Sequence, residues 1–133
     1  MSYEAILNAV ALAGMALAAI IHLLPLSGVL GVPQLKSLYG LEITGADIEI
    51  LLRHRAVLFG LIALLLLAAM AMPHLRGAAL LTAIVSMASF IVIALMVGDY
   101  GPSLKRVVLA DIIGLVAILP AVLSFFLQTQ RPE

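Results

Sequence analysis

Residues 51–72 read LLRHRAVLFGLIALLLLAAMAM, and this stretch determines how the rest of the chain is interpreted. It begins with three cationic or ionisable side chains, those of Arg53, His54 and Arg55, and continues as a long apolar run. An α-helix needs about 20 predominantly apolar residues to cross the ~30 Å hydrocarbon layer of a bilayer. The stretch therefore predicts a transmembrane helix whose first turns carry charge at the membrane interface.

The composition of the whole chain agrees with a membrane location. Hydrophobic residues make up 65% and charged residues 11% of the 133 residues, and the mean hydropathy is +1.26. Soluble domains are about half apolar and about a quarter charged, so this chain has too little polar surface to cover a water-soluble core of its size. The formal net charge of zero argues against binding to nucleic acid. Because there is no cysteine, disulfides, thiolate metal sites and cysteine nucleophiles are excluded.

Four apolar segments are long enough to cross a membrane, at about residues 4–24, 45–72, 78–97 and 103–127. They predict an all-α fold, a four-helix transmembrane up-and-down bundle that forms one integral membrane domain over residues 1–133. The first segment is expected to stay as a helix, because its leader has no Lys or Arg and no small-x-small cleavage site follows. Between the first two spans, residues 32–39 predict a short interfacial helix with Pro33 in its first turn and Gly40 at its end.

The first span carries small and polar residues at steps of three and four, which places them on one face of the helix. These residues are Asn8, Ala11, Met15, Ala18 and His22. Lipid cannot hydrogen-bond a polar side chain, and small side chains allow helices to approach closely. We therefore expect this face to point into the bundle.

In the second span, Arg53 lies four residues after Glu49 and seven before Gly60. The first spacing predicts an ion pair, and the second predicts that Arg53 points into the bundle if Gly60 marks a close helix contact. Arg55 is about 200° around the helix from Arg53, so we expect it to face the interface or a different neighbour. Thr44 and Ser103 are expected to be the N-caps of the second and fourth spans.

An up-and-down bundle brings the end of the first and third spans and the start of the second and fourth to one membrane face. That face gathers the polar residues His22, Glu49, Arg53, His54, Arg55, Asp99, Lys105, Arg106 and Asp111. The opposite face carries Glu4, His74, Arg76, Arg131 and Glu133. The excess of Lys and Arg at the first face predicts, by the positive-inside rule, that it is cytoplasmic and that both termini are periplasmic.

Asp111 is the sharpest single signal in the chain. It lies about two turns inside the fourth span, too deep for its short side chain to reach the interface, and an aspartate at a helix centre costs about 3 kcal/mol on insertion. It needs a partner, for which Arg53 or Arg55 is the first expectation and His22 the alternative. Such a pair either fixes helix packing, or belongs to a site where Asp111 positions an arginine or acts as acid and base.

His22 is interpreted either as a hydrogen-bonded core residue or as part of that site. Together with His54 it has the donor atoms for two axial ligands of a haem or two ligands of a metal ion. The surrounding cations oppose a divalent ion, so neither a metal nor a cofactor is predicted.

Three phrases of the chain resemble those of a family of small bacterial four-span membrane proteins of unknown role: IHLLPLSGVLG at 21–31, LLRHRAVLFG at 51–60 and LKRVVLAD at 104–111. The resemblance implies a multi-pass protein of the bacterial cytoplasmic (inner) membrane. Members are often labelled phosphopantetheine adenylyltransferase, but this chain has neither an HxGH phrase nor an alternating strand–helix pattern to support that activity. In size and helix count it also looks loosely like DoxX and EXPERA-type bundles, a likeness that transfers no residue roles.

The function that the sequence favours is binding of an amphipathic, anionic small molecule or membrane lipid at a polar pocket in one leaflet. The predicted ligand-binding residues are His22, Arg53, His54, Arg55, Lys105, Arg106 and Asp111. A first alternative is an enzyme that acts on a lipid or isoprenoid by acid/base chemistry, with His22 and Asp111 as its catalytic candidates. A second is a structural or accessory role, as a homodimer or with a partner subunit.

Overall fold

The computed structural model describes residues 2–129, which form five α-helices and no strand. Arg131 and Glu133, assigned above to the far membrane face, lie outside the described residues. The helices are α1 (Tyr3–Leu23), α2 (Val32–Tyr39), α3 (Ala46–Ala71), α4 (Arg76–Val97) and α5 (Pro102–Thr129). Short 3₁₀ segments follow α1, at Leu24–Leu30, and precede α4, at Pro73–Leu75.

Four elements are long and apolar enough to cross a membrane, so the predicted four-helix fold is confirmed. They are Tyr3–Leu30, Ala46–Ala71, Pro73–Val97 and Pro102–Thr129. Large apolar side chains on their outer surfaces, such as those of Leu64, Met96 and Leu119, are exposed, as expected of a surface that faces lipid tails rather than water. The chain is a multi-pass membrane protein.

The four spans form a ring in chain order, because α1 and α4 each pack against α3 and α5. The core between them is built largely of small side chains, including those of Ala18, Ala69 and Ala83, which allow helices to approach closely in a membrane. The closest approach joins α1 to α5, where a Cβ atom on Gly14 would lie 1.9 Å from the carbonyl oxygen of Ala117. Only glycine fits at this crossing.

The short helix α2 has the predicted boundaries, with Pro33 in its first turn and Gly40 as its C-cap in the left-handed conformation (φ 65°). The predicted caps of two spans are wrong. Gly45, not Thr44, precedes α3, with no side-chain cap, and α5 begins at Pro102, which places Ser103 inside its first turn.

The buried face of α1 is the predicted one except at its first member. Ala11, Met15, Ala18 and His22 are buried, whereas Asn8 is exposed. Asn8 lies in the second turn of α1, and its side chain remains at the surface. The prediction that Asn8 points inward is therefore wrong.

Candidate functional site

A cavity of about 170 Å³ lies at the polar end of the bundle. It is bounded by the ends of α1 and α2, the start of α5 and the Phe59 side chain of α3. The polar side chains that line it are His22, Tyr39, Ser103, Arg106 and Asp111. The apolar ones include Ile21, Leu24, Leu38, Phe59 and Val107. The short helix α2 thus does more than lie at the interface, because its last turn forms a wall of the cavity.

Asp111 is the buried acid of this cavity. It lies about 14 Å along the axis from the first residue of α5, and only 8% of its surface is exposed. Three residues further on, Gly114 leaves room for the Met87 side chain of α4, which holds this face of α5 against the bundle. Among the described residues, none forms a hydrogen bond or an ion pair with the Asp111 carboxylate. Asp111 thus lines the cavity without a protein partner among those residues.

His22 is almost fully buried, with 1% of its surface exposed. Its Nδ1–H donates to the carbonyl oxygen of Ala18 at 2.8 Å, which leaves Nε2 to accept from the Ser86 hydroxyl at 3.2 Å. The Phe59 ring lies against the imidazole with 5.7 Å between ring centroids. Both ring nitrogens are thus used within the protein, and the histidine joins α1 to α4.

Arg55, not Arg53, is the arginine that turns into the protein. Its guanidinium is half-buried and lies over three aromatic rings, at 5.4 Å from the centroid of Tyr39, 4.8 Å from Phe59 and 5.1 Å from Phe90. Such contacts stabilise a cation that has left water. Tyr39 and Phe59 line the cavity and Arg55 does not, so the two rings separate the guanidinium from the cavity.

Arg53 forms the predicted ion pair with Glu49, at 3.0 Å, but remains half-exposed. Its Nε–H donates to the carbonyl oxygen of Val29 at 3.0 Å. Gly60 does mark a close contact, yet its neighbour is Leu26, which belongs, like Val29, to the 3₁₀ segment after α1. Arg53 and Gly60 therefore face the same neighbour, which is a peripheral connection and not the bundle interior, and the prediction that Arg53 points inward is wrong.

The expected ion pair of Asp111 with an arginine is absent from the described residues. Arg55 is near enough to attract the Asp111 carboxylate and the Tyr39 hydroxyl electrostatically, but it forms no ion pair within 4.0 Å. At Tyr39, outside the spans, burial raises the pKa of the phenol and the nearby guanidinium of Arg55 opposes part of that rise. Arg55 therefore influences the cavity electrostatically, with the rings of Tyr39 and Phe59 between them.

The remaining predicted ligand-binding residues lie at the surface. His54 and Lys105 are exposed and do not line the cavity. Arg106 is also exposed, but it lies at the cavity mouth, where its Nη2 donates to the Ser103 hydroxyl at 3.1 Å. Of the seven predicted residues, the cavity thus unites His22, Arg106 and Asp111.

Sequence reasoning missed the aromatic part of the site. Tyr39 and Phe59 each contact Arg55, and both line the cavity. The available signal was the four-residue spacing of Arg55 and Phe59, which puts them on one face of α3. In the described part of the chain, no three His, Asp or Glu residues are grouped so as to hold a metal ion.

Comparison of the chain with protein-family models, with curated proteins and with solved structures found no match.

Proposed function

We propose that the cavity binds the polar group of an amphipathic, anionic small molecule or lipid in one leaflet of the membrane. The observation that carries the proposal is Asp111, a carboxylate buried inside a span that faces a cavity and has no partner among the described residues. A buried polar group that lacks a hydrogen-bond partner costs about 1–3 kcal/mol, and a charged one costs more. A ligand that donates a hydrogen bond to Asp111 removes much of that cost, which makes binding favourable.

The volume of the cavity limits what enters it. About 170 Å³ corresponds to roughly six water molecules at ~30 Å³ each, whereas pockets that enclose a whole drug-sized ligand measure about 300–1,000 Å³. The cavity is thus suited to a polar group of limited size. The apolar remainder of the ligand extends past side chains such as Ile21, Leu24 and Leu38 toward the bilayer.

The charges define the polarity of that group. Arg106 at the mouth is suited to an anion such as a phosphate or carboxylate, which arginine binds through two parallel hydrogen bonds. Asp111 lies deeper, where its carboxyl oxygens accept hydrogen bonds, so it selects a hydroxyl or another donor. The ligand therefore carries an anionic group near the water interface and a hydrogen-bond donor beyond it.

The test is to identify what the protein retains when it is extracted from its native membrane in mild detergent. Native mass spectrometry of the wild type is expected to show a bound amphiphile that is depleted at least about tenfold in Asp111→Asn, which removes the charge. Asp99→Asn is the matched control, because Asp99 is exposed and has a positive φ of 50° that asparagine tolerates. Equal retention by wild type and Asp111→Asn would contradict the proposal.

An acid/base enzyme is the second candidate, and one observation favours it: His22 and Asp111 line the same cavity. Its weakness is that both nitrogens of His22 are already hydrogen-bonded within the protein. Incubating purified protein with a lipid extract separates the two candidates. A binding protein leaves the extract unchanged, whereas an enzyme produces a new species that disappears with Asp111→Asn.

We further propose that the chain lies in a bacterial inner membrane with the cavity end cytoplasmic and both termini periplasmic. The support is the excess of Lys36, Arg53, Arg55, Lys105 and Arg106 at that end. Reporter fusions at the connections of α1 to α3 and of α3 to α4 test the orientation. A cytoplasmic signal from the connection of α3 to α4 would show that the orientation is the opposite of the one proposed.

A further inference from the structure

A second, larger concavity lies outside the cavity described above, as a groove of about 400 Å³ between α3 and α4. Most of its lining is apolar and includes Leu58, Ile62, Val85 and Ile93, and Arg55 lines it together with three hydroxyl-bearing residues. The volume falls within the ~300–1,000 Å³ range of ligand pockets. Because α3 and α4 are spans, the groove opens toward the hydrocarbon layer.

Arg55 brings a charge to this groove that the protein leaves unpaired. The Cζ atom of its guanidinium lies over the rings of Tyr39, Phe59 and Phe90 at 4.8–5.4 Å from their centroids. In the part of the chain that the structure describes, no residue accepts a hydrogen bond from Arg55 or forms an ion pair with it. The five N–H groups at the edge of a guanidinium thus remain for an external acceptor.

The hydroxyl groups of the groove cannot attract a hydrogen-bond acceptor, because their protons are used elsewhere. Thr82 donates to the carbonyl oxygen of Ala78 at 2.8 Å and Ser89 donates to that of Ser86 at 3.1 Å. The hydroxyl of Ser86 donates to His22. Arg55 is therefore the donor that this groove presents, and an occupant that matches it offers an anionic acceptor group.

The depth of Arg55 suits a lipid phosphate. The 26 residues of α3 extend about 39 Å, some 9 Å more than the ~30 Å hydrocarbon layer, and the polar first turns account for the excess. Arg55 lies about 14 Å from the start of α3, so its Cα is about 5 Å inside the apolar boundary. An arginine side chain spans that distance and brings its guanidinium toward the headgroup region.

We propose that the α3–α4 groove is a specific binding site for an anionic phospholipid. The phosphodiester accepts two hydrogen bonds from the edge of the Arg55 guanidinium, and one acyl chain lies along Leu58, Ile62, Val85 and Ile93. A phosphodiester is anionic and carries no donor, which matches the groove. This site is separate from the Asp111 cavity, since Phe59 and the His22–Ser86 hydrogen bond lie between them.

The experiment is native mass spectrometry of the delipidated protein in detergent, titrated with equimolar phosphatidylglycerol and phosphatidylcholine. The wild type is expected to bind its first phosphatidylglycerol about tenfold more tightly than phosphatidylcholine, because the choline cation of phosphatidylcholine offsets the attraction between its phosphodiester and Arg55. Arg55→Gln is expected to abolish this preference. Arg53→Gln, which removes the same charge from the same helix on the outer side, is expected to keep it.

A second variant tests the groove without changing any charge. Val85→Trp fills the groove from α4 at an exposed position, and it is expected to weaken phosphatidylglycerol binding while Val92→Trp, exposed outside the groove on the same helix, leaves it unchanged. The proposal is overturned if Arg55→Gln keeps the preference, if Arg53→Gln loses it to the same extent, or if Val85→Trp binds as the wild type does. Asp111→Asn leaves Arg55 in place and is expected to keep the phospholipid, so a loss of the preference in Arg55→Gln alone distinguishes this site from the cavity.

Discussion

The imidazole of His22 on α1 and the hydroxyl of Ser86 on α4 meet at 3.2 Å, although α1 and α4 are diagonal to each other in the ring of spans. Each of these helices packs along its length against α3 and α5 instead. The hydrogen bond therefore crosses the centre of the bundle. It fixes the imidazole between the cavity and the α3–α4 groove.

Ser86→Ala removes the donor to His22 and leaves the Nε2 atom without a partner among the residues that surround it. We expect the free energy of unfolding to fall by about 0.6 kcal/mol, the average for interhelical hydrogen bonds in a membrane, and by no more than about 1.7 kcal/mol. Thermal unfolding in detergent measures it. Ser89→Ala is the control, because the Ser89 hydroxyl bonds only to a carbonyl of its own helix. Equal effects of the two variants would mean that the diagonal bond contributes nothing.

Gly14→Ala places a methyl group 1.9 Å from the carbonyl oxygen of Ala117. Because that atom is backbone, α1 and α5 must separate, and we expect a loss of at least about 3 kcal/mol of unfolding free energy. Size-exclusion chromatography and thermal unfolding in detergent report the change. Gly101→Ala, at a position with no atom within 4 Å of the added methyl group, is expected to behave as the wild type.

Tyr39 makes the stability of the protein depend on pH in the alkaline range. Burial raises the pKa of its phenol above the ordinary value of 10.0 in the folded state, so the folded state holds the proton more tightly than the unfolded state does. This stabilisation is complete below pH 10 and is lost as the pH rises through the folded-state pKa. Between pH 9 and pH 11, the melting temperature of Tyr39→Phe should fall less steeply than that of the wild type. Parallel slopes would contradict the assignment, and Tyr3→Phe, at an exposed tyrosine, provides the control.

Arg53 should contribute little to stability despite its two contacts. Its pair with Glu49 is partly exposed to solvent, and such pairs contribute about 0.2–1 kcal/mol. We expect Arg53→Ala to lower the free energy of unfolding by about 1 kcal/mol or less. Arg55→Ala should cost more, since it removes a guanidinium packed against three rings. Thermal unfolding is expected to give a lower melting temperature for Arg55→Ala than for Arg53→Ala, and the reverse order would contradict this prediction.

The bundle could be predicted because its causes are local to each segment. Twenty or more apolar residues specify a span by length alone, and Pro33 and Gly40 specify the ends of α2 by their backbone preferences. The Glu49–Arg53 pair follows from spacing within one helix. None of these inferences needs to know which helix lies beside which.

The arrangement of the site could not be predicted to the same extent. Helical spacing shows which residues share a face of a helix, but it does not show which element packs against that face. Gly60 correctly indicated a close contact for its face of α3, but the neighbour is Leu26 of a connection rather than a span. Arg53 lies on that face and is consequently peripheral. Arg55 lies on the other side of α3 and contacts Tyr39 of α2, a helix whose position in the bundle could not be predicted from periodicity.

The contact between Gly14 and Ala117 has a consequence beyond the stability of the α1–α5 pair. His22 lies about 12 Å along α1 from Gly14, and Asp111 lies about 9 Å along α5 from Ala117. The two helices that carry the buried polar residues of the cavity therefore pivot about this crossing. A change in distance or angle at this point is transmitted along both helices to the opening between His22 and Asp111. The separation of α1 and α5 at Gly14 thus affects the width of the polar site at one end of the bundle.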